Sequence, residues 1–166
     1  MNNDISTHLG KNVGQYKISG YEPSLLVREN RLTNRKNYNI PDNMFGYDYW
    51  RVWEFSTMNK YGQPFQFILG FAYSCYSKYI VESKSVKLYT FSFNNHKFDV
   101  ETEDELINNI TKMISSDIGN VVESDVHVKI FKLNHYQRLN IGKITNININ
   151  QNFTEYKENP SLINFI

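Results

Sequence analysis

Two aromatic-rich runs flanking a short polar segment constrain the fold of this chain most strongly. The run from Tyr47 to Ser56 alternates with a period of two, which is typical of a β-strand. The segment from Asn59 to Pro64 has the composition of a turn, and the run from Phe65 to Tyr73 predicts a second strand that returns antiparallel to the first. The sequence therefore predicts a β-hairpin. In its first strand, one face would carry Tyr47, Tyr49, Arg51, Trp53 and Phe55, and the other Trp50, Val52 and Glu54.

Two helices are predicted after this hairpin. The first spans Ser83 to Phe93, and its apolar residues at helical spacing are Val86, Tyr89 and Phe93, with Leu88 and Phe91 widening the apolar face. The second covers residues 103–116 and begins with a capping box, in which Thr102 and Glu105 each accept a backbone N–H of the first turn. Its predicted buried stripe ends before a stop at Gly119, and consists of Leu106, Ile110, Met113 and Ile114.

The C-terminal part predicts two further strands, one within Val121 to Leu133 and one between Ile141 and Ile149. The resulting order is strand, strand, helix, helix, strand, strand. It predicts an α+β fold, an antiparallel four-stranded sheet with the two helices on one face. Aromatic residues on both faces of the strands favour a partner that covers the other face, as in sheets joined edge to edge in a ring.

Length and charge set broad limits on function. A chain of 166 residues suits one folded domain, and a net charge of +1 gives no general attraction to nucleic acid. There is one cysteine, no apolar run of membrane-spanning length and no secretory pattern at the N-terminus, so a cytoplasmic protein is expected. We predict an irregular N-terminal arm at 1–45, with brief ordered pieces but no assigned regular element. The main domain is predicted at 46–150 and a C-terminal tail or truncated linker at 151–166.

The run from Glu82 to Tyr89 is the strongest candidate for a functional site. Its first six residues place one carboxylate, two hydroxyls and two ammonium groups at the predicted start of a helix. Backbone N–H groups there are unpaired and carry the positive end of the helix dipole, so such a start can bind phosphate. The simpler interpretations are that Glu82 and Ser83 only cap the helix and that Lys84 and Lys87 form a solvated basic face.

The wording of this run, Glu-Ser-Lys-Ser-Val-Lys-Leu-Tyr, followed by Ser92-Phe93-Asn94, resembles the signature of the NADPH-dependent 7-cyano-7-deazaguanine reductases, the nitrile reductases of queuosine biosynthesis. Earlier segments are similar to the N-terminal half of the two-module form: Leu9-Gly10-Lys11, Tyr21 to Leu26 and Trp53 to Ser56. The resemblance implies the tunnelling fold (T-fold), whose members bind purines or pterins at subunit interfaces. It also implies an oligomer. From the charge and the lack of a membrane-spanning run, we expect no direct contact with nucleic acid or membrane.

The same resemblance implies the site residues. Val81, Glu82 and Ser83 would bind 7-cyano-7-deazaguanine, with Glu82 accepting hydrogen bonds from the ring N–H and amino group. Ser83, Lys84 and Lys87 would contact the phosphates of NADPH. The implied reaction reduces the nitrile to an aminomethyl group, through a covalent thioimide and two hydride transfers.

The chain departs from the family pattern at the groups that perform this chemistry. Met58 stands at the position of the nucleophilic cysteine, Phe65 at that of the proton-donating aspartate, and Asp99-Val100 at that of a His-Glu pair. A thioether cannot add to a nitrile and a phenyl ring has no proton to transfer. No catalytic residue is therefore predicted here, and a cysteine-bearing C-terminal module on another chain is the expected partner.

Two other functions remain open from sequence. The chain could be a non-catalytic purine-binding paralogue or regulatory subunit, or a tunnelling-fold enzyme acting on a pterin, which would need a metal or a catalytic histidine pair. His8, His96, His127 and His135 lack ligand-like spacing, so no metal site is predicted. Cys75 has no adjacent histidine to activate it, and we expect an inert buried thiol.

Overall fold

The computed structural model describes residues 20–41 and 43–133. Within them the chain forms three helices, α1 (Arg31–Asn37), α2 (Ser83–Ser92) and α3 (Glu103–Val122). The strands are β1 (Arg28–Asn30), β2 (Tyr47–Met58), β3 (Pro64–Ser74), β4 (Tyr79–Val81) and β5 (Val126–Lys132), and short 3₁₀ turns cover Pro23–Leu25 and Phe93–Asn95. No helix among these residues is both long and apolar enough to cross a membrane.

The strands form two antiparallel sheets, which confirms the predicted α+β class. One has the order β2-β3-β5, and the other pairs β1 with β4. The succession of long hairpin, two helices and a returning strand follows the predicted order as far as Lys132. The fourth predicted strand, between Ile141 and Ile149, lies outside the described residues.

The predicted hairpin is present, but its first strand contains a β-bulge that the alternation did not predict. Val52 pairs with Leu69 and Phe55 with Phe67, so β2 has one residue more than β3 across this interval. The extra residue reverses the alternation, and both Trp50 before the bulge and Phe55 after it face the core. The prediction that Phe55 shares a face with the first half of the strand is therefore wrong.

Helices α2 and α3 cover the inner face of the three-stranded sheet. In α2 the predicted Val86 and Tyr89 are buried, whereas Phe91 is 63% exposed and does not widen the buried face as expected. The predicted capping box of α3 is present. Its buried stripe contains the expected residues, with Met113 partly buried, and continues to Ile118 and Val122.

The predicted stop at Gly119 is wrong, because α3 continues to Val122. The backbone N–H groups of Glu123 and Ser124 both donate to the carbonyl of Gly119, and Glu123 adopts the left-handed conformation that ends the helix. A Cβ at position 119 would lie 3.2 Å from the carbonyl oxygen of Ser124. Glycine here admits the returning chain, so it marks the last turn and not the end of the helix.

The expectation of no regular element within 1–45 is also wrong. Strand β1 pairs with β4 in the register Arg28↔Val81, and α1 follows it directly. Asn30 caps α1, with its side chain accepting the N–H of Thr33 at 3.0 Å. These elements hold the segment against the chain just before α2, where the candidate site lies.

The outer face of the three-stranded sheet exposes aromatic side chains, as the sequence indicated. Tyr47, Tyr49 and Trp53 are 69%, 55% and 54% exposed, and the Arg51 guanidinium lies over the rings of Tyr49 and Trp53. Gly70 lets Tyr49 cross the central strand, since a Cβ there would meet the tyrosine hydroxyl at 3.2 Å.

Candidate functional site

Glu82 lies at the junction of β4 and α2, and its side chain caps the helix. Its Oε2 accepts the backbone N–H of Ser85 at 2.9 Å, and its own N–H donates to the carbonyl of Val27 at 2.9 Å. The residue is only 6% exposed. The capping interpretation of Glu82 is therefore correct, but it accounts for only one of the two carboxylate oxygens.

The second oxygen, Oε1, is buried without a hydrogen-bond partner among the described residues. A buried acceptor left unpaired costs about 1 to 3 kcal/mol, and more when it is charged. Glu82 borders a cleft of about 580 Å³. A ligand that donates a hydrogen bond from this cleft would relieve that cost.

The cleft lies between the two-stranded sheet, the beginning of β2 and the start of α2. All three predicted substrate residues, Val81, Glu82 and Ser83, line it. The remaining lining residues come from β1, α1, β2, β3 and β4, and they are Glu29, Arg31, Tyr47, Asp48, Tyr49, Trp50, Tyr73 and Ile80.

A buried guanidinium holds one wall of this cleft. Arg31 forms a salt bridge with Asp48, and it also donates to the carbonyl of Ser77 at 2.9 Å and to its hydroxyl at 2.7 Å. The side chain of Arg31 is 9% exposed and that of Asp48 is 32% exposed. The planar guanidinium thus ties the start of α1 to β2 and to the loop after β3.

The charges around the cleft favour donors over anions. Three carboxylates, those of Glu29, Asp48 and Glu82, line it with a single guanidinium that is already paired with Asp48. An uncharged, donor-rich heterocycle suits this wall, whereas a phosphate inside the cleft would meet like charges.

The predicted cofactor residues divide into two groups. Ser83 lines the cleft and is exposed at the first position of α2. Lys84 is half-buried, Lys87 is exposed, and neither belongs to the cleft lining. The structure therefore brings Ser83 together with Val81 and Glu82 but leaves the two lysines on the adjoining surface of the helix.

Asp117 on α3 binds two tyrosines, Tyr89 of α2 and Tyr21 of the segment before Pro23–Leu25. The hydroxyls of Tyr89 and Tyr21 donate to Oδ2 of Asp117 on α3, at 2.6 and 2.7 Å. Burial and then the bond to this carboxylate raise the pKa of Tyr89 and of Tyr21. Both phenols thus stay protonated as donors: Tyr89 fixes α2 against α3, and Tyr21 fixes the segment before Pro23–Leu25 against α3.

The turn between β2 and β3 lies apart from the cleft and is closed by hydrogen bonds. Asn59 is 1% exposed; its Oδ1 accepts the N–H groups of Tyr61 and Gln63, both at 3.1 Å, and its amide donates to the Gln63 side chain. Met58 ends β2, and Phe65 stacks on Phe67 with ring centroids 6.3 Å apart. The polar groups at this turn therefore have a structural role, which is to close the connection between β2 and β3.

Cys75 is buried and donates its thiol to the carbonyl of Met44 at 3.3 Å, which confirms the expected buried thiol. Within 20–41 and 43–133, no three His, Cys, Asp or Glu side chains are grouped so that they could hold a metal.

The fold and the site define an α+β domain with a cleft lined by carboxylates at a helix start. Residues 16–130 match the family model described as nitrile reductase, 7-cyano-7-deazaguanine-reductase N-term. This match covers more than half of the chain. The chain belongs to that family.

Curated relatives support the assignment. An NADPH-dependent 7-cyano-7-deazaguanine reductase of Rickettsia bellii (strain OSU 85-389) is 37% identical over 150 residues, which are 86% of this chain and 52% of the relative. Proteins with the same name from Rickettsia canadensis and Rickettsia typhi are 40% and 39% identical over 76% and 78% of the chain, and 44% and 46% of their own lengths. The chain thus spans about half the length of the curated relatives it matches.

Sequence reasoning missed the residues that complete the cleft, above all Arg31 and Asp48. They lie 17 positions apart, and the first sits in a segment expected to be irregular. The Asn30 cap with basic residues in the following turns was the available signal for α1. Nothing local indicates that Asp48 is its partner.

Proposed function

We propose that this chain is the N-terminal, substrate- and cofactor-contacting module of an NADPH-dependent nitrile reductase that converts 7-cyano-7-deazaguanine to 7-aminomethyl-7-deazaguanine in queuosine biosynthesis. The nucleophilic cysteine would come from a C-terminal module. The observation that supports this most is that Oε1 of Glu82 is buried beside the cleft and has no hydrogen-bond partner within 20–41 and 43–133.

In this proposal Glu82 accepts hydrogen bonds from the ring N–H and amino group of the deazaguanine, and Val81 and Ser83 shape the pocket around it. Because Oε1 is shielded from solvent, a small rotation of the carboxylate would accompany ligand entry. Each charge-assisted bond contributes about 1.5 to 3 kcal/mol. Two such bonds fall short of the roughly 8 kcal/mol of micromolar binding, so further contacts must contribute.

NADPH would supply hydride, with its phosphates held by Ser83, Lys84 and Lys87. The donors present fit phosphate: a hydroxyl at the first position of α2 and two ammonium groups within its first turns. The carboxylates of the cleft would keep the phosphates outside it, so the base and the cofactor would occupy adjoining sites.

The tunnelling fold and an oligomer, homomeric or with a separate cysteine-bearing chain, belong to the same proposal. The exposed aromatic residues on the outer face of the three-stranded sheet support an assembly that covers them. Met58 and Phe65 cannot supply the nucleophile or the proton, so this chain would contribute geometry and binding.

The first test separates capping from ligand binding at Glu82. Aspartate is a preferred N-cap and keeps the charge, but its carboxylate is one methylene shorter. Glu82→Asp should leave the free energy of unfolding near that of the wild type and weaken 7-cyano-7-deazaguanine binding, measured by calorimetry, about 10-fold or more. Glu82→Ala should lose the binding, and its stability should stay near that of the wild type, because the loss of the cap, about 1 kcal/mol, is offset by removal of the unpaired buried Oε1. Wild-type affinity in both variants would refute the site.

The second test addresses the division of roles. The chain alone should show negligible NADPH oxidation with 7-cyano-7-deazaguanine, and a cysteine-bearing C-terminal module from a relative should restore it. Cys75→Ser should change nothing, since its thiol is buried. Turnover by the chain alone that survives this substitution would contradict the proposal.

A non-catalytic purine-binding paralogue or regulatory subunit is the second candidate. It is favoured by the hydrogen-bonded turn at Asn59, where the family's reactive groups are replaced by structural ones. Binding of the ligand without any rescue of activity by the C-terminal module would support this candidate over the first.

A further inference from the structure

Four aromatic side chains line the cleft, and they differ in how they are held: Tyr47, Tyr49, Trp50 and Tyr73. Tyr47 and Tyr49 are largely exposed and belong to the outer face of the sheet, and Tyr73 is fully buried with its hydroxyl accepting the N–H of Val81 at 3.3 Å. Trp50 differs from all three because it is half-buried, packed inward against the core, and at the same time on the lining of the cleft.

The Trp50 indole rests on a ladder of parallel rings. It stacks on Phe71 with centroids 5.7 Å apart and planes 7° from parallel, and Phe71 stacks in turn on Tyr73 at 6.5 Å and 16°. Phe71 and Tyr73 are 1% and 0% exposed, so the core fixes the lower rings. The ladder holds the indole in one orientation, which is what a stacking surface requires.

We infer that Trp50 is the stacking platform of this cleft and holds the flat face of a purine-like ring while Glu82 binds its edge. This inference rests on the proposed function and adds a binding residue to it. Stacking depends on the face of a heterocycle and not on its substituents, whereas Glu82 reads the donors at the edge. The two residues would therefore contribute affinity and selectivity separately.

The two tryptophans of the chain allow a direct test. Trp53 lies on the outer face, 54% exposed, so Trp53→Phe leaves Trp50 as the sole tryptophan and Trp50→Phe leaves only Trp53. Titration with 7-cyano-7-deazaguanine should quench the fluorescence of the Trp53→Phe variant at unchanged affinity. The Trp50→Phe variant should show no quenching beyond absorption of light by the ligand, which makes it the matched control.

A third variant measures the contribution of stacking. Trp50→Leu should weaken binding in calorimetry by about 5- to 100-fold, whereas Trp50→Phe, which keeps an aromatic face, should stay within about 3-fold of the wild type. The loss in Trp50→Leu should be the same for 7-cyano-7-deazaguanine and for 7-deazaguanine, because both present the same ring. Circular dichroism checks the fold of each variant.

The outcomes separate a failure of the stacking inference from a failure of the proposed function on which it rests. Failure of the wild type to bind in calorimetry would refute both. Binding that depends on Glu82, with Trp50 fluorescence unchanged at saturation, would overturn the platform alone. The fluorescence result decides the question even if Trp50→Leu does not fold.

Discussion

The start of α2 and the turn between β2 and β3 differ in how their buried polar atoms are satisfied. At the turn, the side chain of Asn59 accepts two backbone N–H groups and donates to Gln63 and to the carbonyl of Glu101. At the start of α2, Oε1 of Glu82 has no partner among the described residues. The first arrangement pairs its polar atoms within the fold, and the second leaves one buried carboxylate oxygen unpaired beside a cleft.

Thr57 qualifies this comparison, because its buried hydroxyl also lacks a partner within the described part of the chain. It lies outside the lining of the cleft, and an unpaired hydroxyl is less costly to bury than a carboxylate oxygen. An unpaired atom therefore indicates a ligand site only where a cleft reaches it.

The largest stability effect is expected on the cleft side, at Arg31. Arg31→Met should lower the free energy of unfolding by about 3 kcal/mol, because it leaves Asp48 partly buried without its partner and removes two bonds to Ser77. Urea denaturation measures it. The control Arg28→Met removes a pair with Glu123 in which both side chains are about 40% exposed, and should cost less than about 1 kcal/mol. Equal losses of unfolding free energy in Arg31→Met and Arg28→Met would contradict the role of the buried Arg31 in the cleft wall.

Asn59 tests whether the turn is only structural. Asn59→Ala should lower the free energy of unfolding by about 2 kcal/mol, since two backbone N–H groups lose their acceptor. The dissociation constant for 7-cyano-7-deazaguanine should not change. Gln63→Ala, which removes one long bond at an exposed residue, should cost about 0.5 kcal/mol or less. A change in ligand affinity in Asn59→Ala would remove the contrast between the two regions.

Tyr89 gives a smaller effect with a dependence on pH. Tyr89→Phe should cost about 1 kcal/mol at neutral pH through the lost bond to Asp117. Because burial raises the pKa of Tyr89 above its ordinary value of 10.0, the folded state binds this proton more tightly than the unfolded state. That stability is fully present below pH 10.0 and falls as the pH rises above it.

The measurement is urea denaturation from neutral to alkaline pH. Tyr89→Phe should lose less stability above pH 10.0 than the wild type does. Tyr61→Phe, at a residue 69% exposed, should follow the wild-type curve. Parallel curves for Tyr89→Phe and the wild type would show that this phenol does not ionise differently in the two states.

The smallest effect is expected at Lys87 on the surface beside the cleft. Lys87→Gln should weaken NADPH binding about 2- to 3-fold near 0.05 M salt and not measurably near 0.5 M, because exposed charges are screened. Lys112→Gln, also exposed but on α3, is the control. Equal effects of the two substitutions would indicate attraction by general charge and not a phosphate site.

The sequence predicted those parts of the fold in which one local pattern determines the result. The hairpin follows from alternation and turn residues, and α3 begins where Thr102 and Glu105 form their capping box. Strand β1 is three residues long and pairs with Val81, far along the chain, so it has no periodicity of its own to detect. Its existence depends on tertiary pairing.

The residues of the candidate site also differ in whether a local sequence pattern can identify them. Glu82 could be identified because the helix start and its signature lie within one short segment. Arg31, Asp48 and Trp50 could not, because they reach the cleft only through the pairing of β1 with β4 and the path of β2. The inward position of both Trp50 and Phe55 depends on a bulge, and the sequence of β2, with aromatic residues at both odd and even positions, does not indicate where it lies.

Because of that bulge, even-numbered residues of β2 before it and odd-numbered residues after it face the same side of the sheet, as Trp50 and Phe55 do. Deleting one residue at Trp53 or Glu54 would restore strict alternation and force one end to turn over by half a rotation. Phe55 is completely enclosed, so the end bearing Trp50 would be the one to turn, and the indole would leave its ladder for the solvent side. A change of one residue in strand length, with no alteration of any cleft side chain, would thus dismantle the cleft wall.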